Sequence, residues 1–320
     1  MDIIFLDIKH KFMIFYMDDL ILFSKKFNQH VHHLEEIFST LRKAKLTIQP
    51  NKTLLFKKSV VFLGIKISAD GIQTEDVNIE KVKNFPLINT QKSVRGFLGL
   101  CQFYRKHIKD YAKIAAPLFD LTKKYKGKFQ LTQEAIDSAQ ILKQKLTSAP
   151  LLAYPRLRQN DPPLTLTVDS SSIGVGFILS QTSYSEEIQK DIDRPIFFGS
   201  KNFNNSQKKL GSTELELLGL TIAVKKLESY LKGRTFNIIT DHKALIYIIH
   251  KKLDDLKPSL ARKIMFLSQY DFTLTHKEGI KISNADSLSR QKYEENSDCI
   301  VDDEPQLYAL QKTQISEKKF

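Results

Sequence analysis

Two adjacent carboxylates, Asp18 and Asp19, interrupt an otherwise apolar run from Phe12 to Ser24, Phe-Met-Ile-Phe-Tyr-Met-Asp-Asp-Leu-Ile-Leu-Phe-Ser. The Ile-, Phe- and Leu-rich flanks read as two buried strands of a hairpin, with Met17-Asp18-Asp19 where the chain must turn. Buried flanks would hold the tip on a rigid element, and paired carboxylates there suit a hard divalent cation that also grips substrate phosphates. By residue type alone the pair also reads as solvated turn aspartates, and both readings stay open. Further along, Asp169 and Asp241 each close a strand of alternating character, Leu164-Thr-Leu-Thr-Val-Asp169 and Thr235-Phe-Asn-Ile-Ile-Thr-Asp241. If those strands are neighbours, both carboxylates emerge at one sheet edge, where ligands of α/β sheets bind. Glu216 falls in the first turns of the intervening helix and Asp286 on the last helix. Any one of these has a plain structural account, since Asp at a strand end commonly caps the next helix. Glu214 is read that way, as an exposed first-turn acid favoured by the helix dipole. Four acids brought together would repel one another, so such a cluster is costly unless it binds cations.

The elements that must position these acids are legible as periodicities. Phe27, Val31, Leu34, Ile37, Phe38, Leu41 and Ala44 recur at helical spacing, with His30, Glu35, Arg42 and Lys43 assigned to the opposite face. Leu46-Thr-Ile leads into a turn at Pro50-Asn51-Lys52, and Val60 to Ile67 reads as one strand closed by Ala69-Asp70-Gly71. Val94 to Ala115 reads as one long helix with Lys106, His107, Lys109 and Lys113 on its surface, Pro117 ending it or opening the next element. Residues 132 to 148 give another helix, and Pro150, Pro155 and Asp161-Pro162-Pro163 give the clearest linker. Beyond it, strands at 164–169, 174–180, 195–199, 235–241 and 271–276 surround a helix from Thr213 to Leu231, for which Ser212 or Thr213 is the expected cap. That order predicts an α/β domain with a five-stranded mixed sheet and a final helix. Past Arg290 periodicity is lost and polarity rises, which predicts a disordered tail over 291–320.

At a prior of about 150 residues per domain, 320 residues suggest two domains with real cores. The net charge is +13 and uneven. From Gln291 onward seven acidic and four basic residues leave a net −3, so the body carries +16, a balance that favours polyanions such as nucleic acid. Cys101 and Cys299 sit in no CxxC pair, which argues against a disulfide framework or zinc site and fits a reducing compartment. The run from Phe12 to Phe23 is too short to span a bilayer and holds two carboxylates, so an intracellular chain without a membrane partner is expected.

Tyr16-Met17-Asp18-Asp19 resembles the polymerase signature of reverse transcriptases of gypsy-class LTR retrotransposons. The resemblance continues in order through Phe62-Leu63-Gly64, Arg95-Gly96-Phe97-Leu98-Gly99-Leu100 and Ala285-Asp286-Ser287-Leu288-Ser289-Arg290, over about nine tenths of the chain. It implies a Pol polyprotein fragment of mixed α/β (α+β) class. The expected layout is the C-terminal part of a palm over 1–67, a helical thumb and connection over 68–150, a linker over 151–163, and a ribonuclease H-like domain over 164–290. Asp18 and Asp19 would be polymerase metal ligands, and Phe62, Leu63 and Gly64 the loop that grips the primer end. Asp169, Glu216, Asp241 and Asp286 match the quartet with which ribonucleases H of this family bind two divalent ions, Mg²⁺ or Mn²⁺, to cut the RNA strand of an RNA–DNA hybrid. His276 takes the place of a histidine that helps product or metal leave. Family members carry Asn where Ile282 stands, and commonly several Trp, of which this chain has none.

The third palm aspartate and the fingers of the family do not fit into the 11 residues before Phe12, so the chain is expected to cleave hybrids without extending primers. The implied partners are an RNA–DNA hybrid, a primer–template, and further Pol segments (fingers, integrase, protease) encoded elsewhere. The implied location is the cytoplasm, within a virus-like particle for an active element, or the nucleus. Two other readings compete: a non-catalytic, domesticated or degenerate nucleic-acid-binding relic, and an unrelated ribonuclease-H-fold nuclease fused to a basic domain.

Overall fold

The computed structural model describes residues 3–8, 11–86, 88–123, 129–158, 160–185 and 189–277. Asp286, the final helix and the tail expected over 291–320 lie outside them. Two compact units divide the described chain between Glu75 and Asp76.

The first unit is built on the acidic hairpin. Strands β1 (Met13–Tyr16) and β2 (Asp19–Leu22) pair antiparallel, with Tyr16 opposite Asp19 and Met17 in the left-handed region at φ 52°. Helix α1 (Phe27–Lys43) packs Leu34, Ile37 and Leu41 against Met13, Leu20 and Leu22. The buried stripe begins at His30, not at Phe27, which is exposed. His30 shares the spacing of Leu34, Ile37 and Leu41 and is fully buried, not on the polar face. Its ring lies 3.1 Å from Ser24 Oγ and edge-on to Phe56. The run expected as one strand from Val60 folds back on itself. Strands β3 (Ser59–Phe62), β4 (Ile65–Ser68) and β5 (Ile72–Thr74) form an antiparallel meander, with Leu63 and Gly64 at φ 51° and 75° as the first turn. Positive φ at both central residues matches the twist of a two-residue hairpin.

The second unit starts with helices α2 (Asp76–Lys83), α3 (Gln91–Phe103), α4 (Tyr111–Asp120) and α5 (Gln133–Thr147) around Phe97, Ile108, Leu118 and Leu142. A capping box between Thr90 and Ser93 opens α3, and Thr132 caps α5. The single helix expected from Val94 to Ala115 is broken. A 3-10 turn at Arg105–His107 and a left-handed Asp110 (φ 59°) separate α3 from α4, although Tyr104, His107, Ile108 and Tyr111 keep the spacing of one helical stripe and are all buried. Pro117 lies inside α4, where its missing N–H forfeits one helical hydrogen bond.

Strands β6 (Leu164–Ser170), β7 (Gly174–Ser185), β8 (Lys190–Asn202), β9 (Phe236–Thr240) and β10 (Phe272–His276) make the expected five-stranded mixed sheet, ordered β10-β9-β6-β7-β8. Pairs β6–β9 and β9–β10 are parallel, and β6–β7 and β7–β8 antiparallel. Helix α6 (Ser212–Lys226) lies on the core, followed by α7 (Glu228–Leu231), α8 (Ala244–Ile249) and α9 (Pro258–Leu267). Leu217, Leu220 and Val224 of α6 meet Leu166, Val168, Leu179 and Ile238 in the main core. Gly211, not Ser212 or Thr213, is the cap residue of α6, since the Thr213 hydroxyl is taken by His242 at 3.1 Å. The Pro-rich stretch is tied to the sheet: buried Gln181 donates to the carbonyls of Arg156 (2.8 Å) and Pro162 (2.6 Å). The start of α4 docks on β8, where Ala112 N donates to Ser200 Oγ at 2.8 Å and Asn202 Nδ2 donates to Ala112 O at 2.9 Å. Among the described residues no helix is long and apolar enough to cross a membrane.

Candidate active site

Parallel register brings two acids together. Val168 on β6 pairs with Thr240 on β9, so the next residues on each strand, Asp169 and Asp241, leave the sheet side by side. The third acid arrives from above. Glu216 sits on the first turns of α6, whose Leu215 and Leu217 anchor the helix in the core and leave the carboxyl facing the strand ends. One oxygen from each of Asp169, Glu216 and Asp241 lies within 4.8 Å of the others, with the aspartates exposed and the glutamate buried. Glu216 Oε2 is buried without a hydrogen-bond partner among the described residues.

Burial and crowding raise Glu216 and Asp169. Burial, then Asp241 and Asp169, push Glu216 up to about 7, offset in part by polar groups of Ser170. Burial, then Asp241 and Asp110, hold Asp169 above the usual carboxylate range, with Lys113 and Lys109 pulling back. An orphaned buried carboxylate oxygen facing two more carboxylates is a hard-oxygen donor set, of the kind that fits a divalent cation. Asp169, Glu216 and Asp241 would hold such ions.

Of the other expected site residues, His276 ends β10 opposite Thr240, with Nε2 3.0 Å from the Asp241 carbonyl oxygen. Asp286 lies outside the described residues. Asp18 is exposed in the hairpin turn and Asp19 is half-buried at the start of β2, and among the described residues no third acid joins them in a ligand cluster. Phe62 is buried at the end of β3, and the adjoining Leu63 is 42% exposed. Glu214 is less exposed than expected: its Oε1 meets Lys257 Nζ at 3.4 Å.

Residue patterns missed the contribution of the helical segment. Asp110 reaches the site from the turn before α4, and its carboxylate lies where a Cβ on Gly176 would fall, Gly176 being the partner of Asp169 across β6–β7. The basic run Lys106 to Lys113 was legible as a polyanion surface, but nothing local tied Asp110 to Asp169.

Residues 159–270 match the RNase H-like domain found in reverse transcriptase, and residues 1–67 match the reverse transcriptase (RNA-dependent DNA polymerase) family. The chain is 33% identical over 287 residues to the retrovirus-related Pol polyprotein from transposon 297 of Drosophila melanogaster, covering 90% of this chain and 26% of that protein. It is 32% identical over 290 residues to the Pol polyprotein from transposon gypsy of the same organism, covering 86% and 26%. The Tf2-3 polyprotein of Schizosaccharomyces pombe is 30% identical over 286 residues, covering 88% and 21%. The chain thus spans about a quarter of the length of these curated relatives. The foamy viral protease-reverse transcriptase solved with an RNA/DNA hybrid shares the fold at a TM-score of 0.71 and 19% identity, covering 95% of this chain and 39% of that one. The same protein solved with dsDNA matches at 0.69 and 21%, covering 87% and 56%.

Proposed function

The chain belongs with the reverse transcriptase and ribonuclease H domains of gypsy-class retrotransposon Pol polyproteins, and from that premise we propose that its second half hydrolyses the RNA strand of RNA–DNA hybrids. The observation that carries the proposal is the convergence of Asp169, Glu216 and Asp241 from three separate elements, with one buried glutamate oxygen left without a partner. Divalent cations, Mg²⁺ or Mn²⁺, would stabilise the attacking and leaving oxygens of an in-line displacement at the phosphodiester. Asp169 and Asp241 hold the exposed side of the cation site and Glu216 the buried side. Asp286 is assigned as the fourth carboxylate by its motif. His276, fixed against the Asp241 backbone, assists departure of the product. Lys109 and Lys113 meet the hybrid backbone beside the site, as their pull on Asp169 suggests.

For the first unit the proposal is a reverse transcriptase palm segment, with Asp18 and Asp19 as cation ligands and Phe62-Leu63-Gly64 as a primer contact. Residues 68–150 serve as thumb and connection, 151–163 as the joint to the nuclease, and 164–290 as the nuclease itself. Primer–template, other Pol segments such as fingers, integrase and protease, and a cytoplasmic, virus-like-particle or nuclear setting complete the proposal.

The test is cleavage of a labelled RNA–DNA hybrid by the purified chain with Mg²⁺, with Mn²⁺ and with EDTA. Cation-dependent cleavage that Asp241→Asn abolishes, with hybrid affinity equal or higher, is the expected outcome. Cleavage in EDTA or full cleavage by Asp241→Asn would overturn it. Tight hybrid binding without cleavage under any cation would favour a binding-only module.

A further inference from the structure

Away from the acids, a cavity of about 450 Å³ opens between the C-terminal half of α6, strand β8 and the 3-10 turn before α4. Its volume falls in the range of about 300–1,000 Å³ typical of small-ligand pockets. Phe177 and Phe197, stacked with ring centroids 6.4 Å apart on one face of the sheet, supply an aromatic wall of which the half-buried Phe197 is the more accessible part, and Arg105, Lys201, Lys225 and Lys226 supply cations. None of the described residues lining it is acidic. Lys225 is held over the Phe266 ring at 4.8 Å, whereas Arg105, Lys201 and Lys226 form no ion pair among the described residues and are exposed. Gly199 is integral to the wall. It pairs with Phe177 across β7–β8, and a Cβ there would run into the Phe177 ring, so only glycine lets that ring lie over the strand.

Flat apolar surface ringed by uncompensated cations selects a ligand that is itself flat, apolar and anionic. An isolated carboxylate or phosphate would leave the phenyl rings unused, and a neutral aromatic would leave the cations unused. A nucleotide uses both, with its base on the rings and its phosphates on Arg105, Lys201 and Lys226. Along α6 the cavity lies nine residues past Glu216, about 14 Å at 1.5 Å per residue. We propose that this pocket binds an unpaired nucleotide of a nucleic-acid strand, such as a single-stranded end extending from a duplex. It is separate from the acidic site and needs no cation, so it stands or falls independently of the nuclease reading.

The test uses the full chain in EDTA, which prevents hydrolysis. Binding is measured to a blunt duplex, to the same duplex with a single-stranded overhang carrying 2-aminopurine, and to one whose overhang is abasic. The base-bearing overhang is expected to bind about tenfold more tightly than the blunt duplex, with a change in 2-aminopurine fluorescence on stacking. Phe197→Ala should remove the fluorescence change, and the double variant Lys201→Ala/Lys226→Ala should remove the overhang's advantage while leaving blunt-duplex affinity unchanged. Those lysines are exposed, so that variant tests the pocket without disturbing the core. Equal binding of abasic and base-bearing overhangs, or equal loss for blunt and overhung duplexes, would overturn the proposal. Competition by free 2-aminopurine mononucleotide at an affinity equal to the overhang's would overturn its assignment to a strand.

Discussion

The hydroxyl oxygen of Ser170 occupies the space into which a Cβ on Gly219 would project, and Val175 Cγ2 would lie 2.9 Å from that Cβ. Gly219 is one turn beyond Glu216 on α6, and Ser170 follows Asp169 on β6. The absence of one methyl group therefore sets how closely the helix carrying Glu216 approaches the strand carrying Asp169. Gly219→Ala should force α6 away from the sheet, costing about 1–3 kcal/mol of stability through overpacking. Displacing Glu216 should cut hybrid cleavage by roughly 100-fold. Denaturation and cleavage assays check both. Gly99→Ala is the control, since nothing lies within 4 Å of its Cβ position inside α3, and it should stabilise by about 1 kcal/mol through helix propensity.

Without cations, Glu216 and His107 should pull the stability of the second unit in opposite directions across about pH 4.5–6.5, leaving a broad top that falls away on the alkaline side through about pH 7 and on the acid side towards about pH 4. Glu216 is 6% exposed and raised from 4.5 to about 7, so the folded state holds a proton that the unfolded chain has released, and stability is lost as pH rises through that window. The loss amounts to about 3 kcal/mol. Asp169 is raised and acts in the same direction. His107 runs the other way: burial, then Lys106, lowers it from 6.5 to about 4, so stability is lost as pH falls through that range. Thermal melts in EDTA from pH 4 to 9 should show a maximum that Glu216→Gln extends to the alkaline side. Mg²⁺ should raise the melting temperature at pH 8 in the native chain and far less in Glu216→Gln. A flat alkaline limb in EDTA would contradict the crowding of these acids.

Leu63 holds a left-handed conformation that costs a residue with a Cβ about 1–2 kcal/mol, and it is 42% exposed at the hairpin tip. Asn tolerates that conformation, so Leu63→Asn should stabilise the first unit by about 1 kcal/mol. If the exposed leucine side chain touches a primer strand, the same change should weaken binding to a primer–template. Chemical denaturation and filter binding on one preparation separate the two effects.

Asp18 and Asp19 belong to a different compact unit from the acidic cluster. Asp18→Asn/Asp19→Asn should therefore leave cleavage of an RNA–DNA hybrid unchanged. A large loss would mean that the hairpin acids serve the hydrolytic site.

What the sequence determined by itself was local and periodic. The alternation of Leu164 to Asp169 and Thr235 to Asp241 announced two strands ending in carboxylates, and the ordered motifs from Tyr16 to Arg290 pointed to the family. Such patterns report which face of an element is apolar, because a strand repeats every two residues and a helix every 3.6. They even carried His30, which shares the stripe of Leu34 and Leu41 but was set aside because it is polar. Tertiary structure alone decided the rest. The break between α3 and α4, at a 3-10 turn and a left-handed Asp110, is invisible to periodicity, since Tyr104, His107, Ile108 and Tyr111 keep helical spacing across it. The gap between Glu216 and Asp169 follows from Gly219 against Ser170, the approach of Asp110 from Gly176, and the aromatic cavity from Gly199 beneath Phe177. Each is a close approach between residues far apart in sequence, and the energy of such an approach depends on distances that no repeat along the chain encodes.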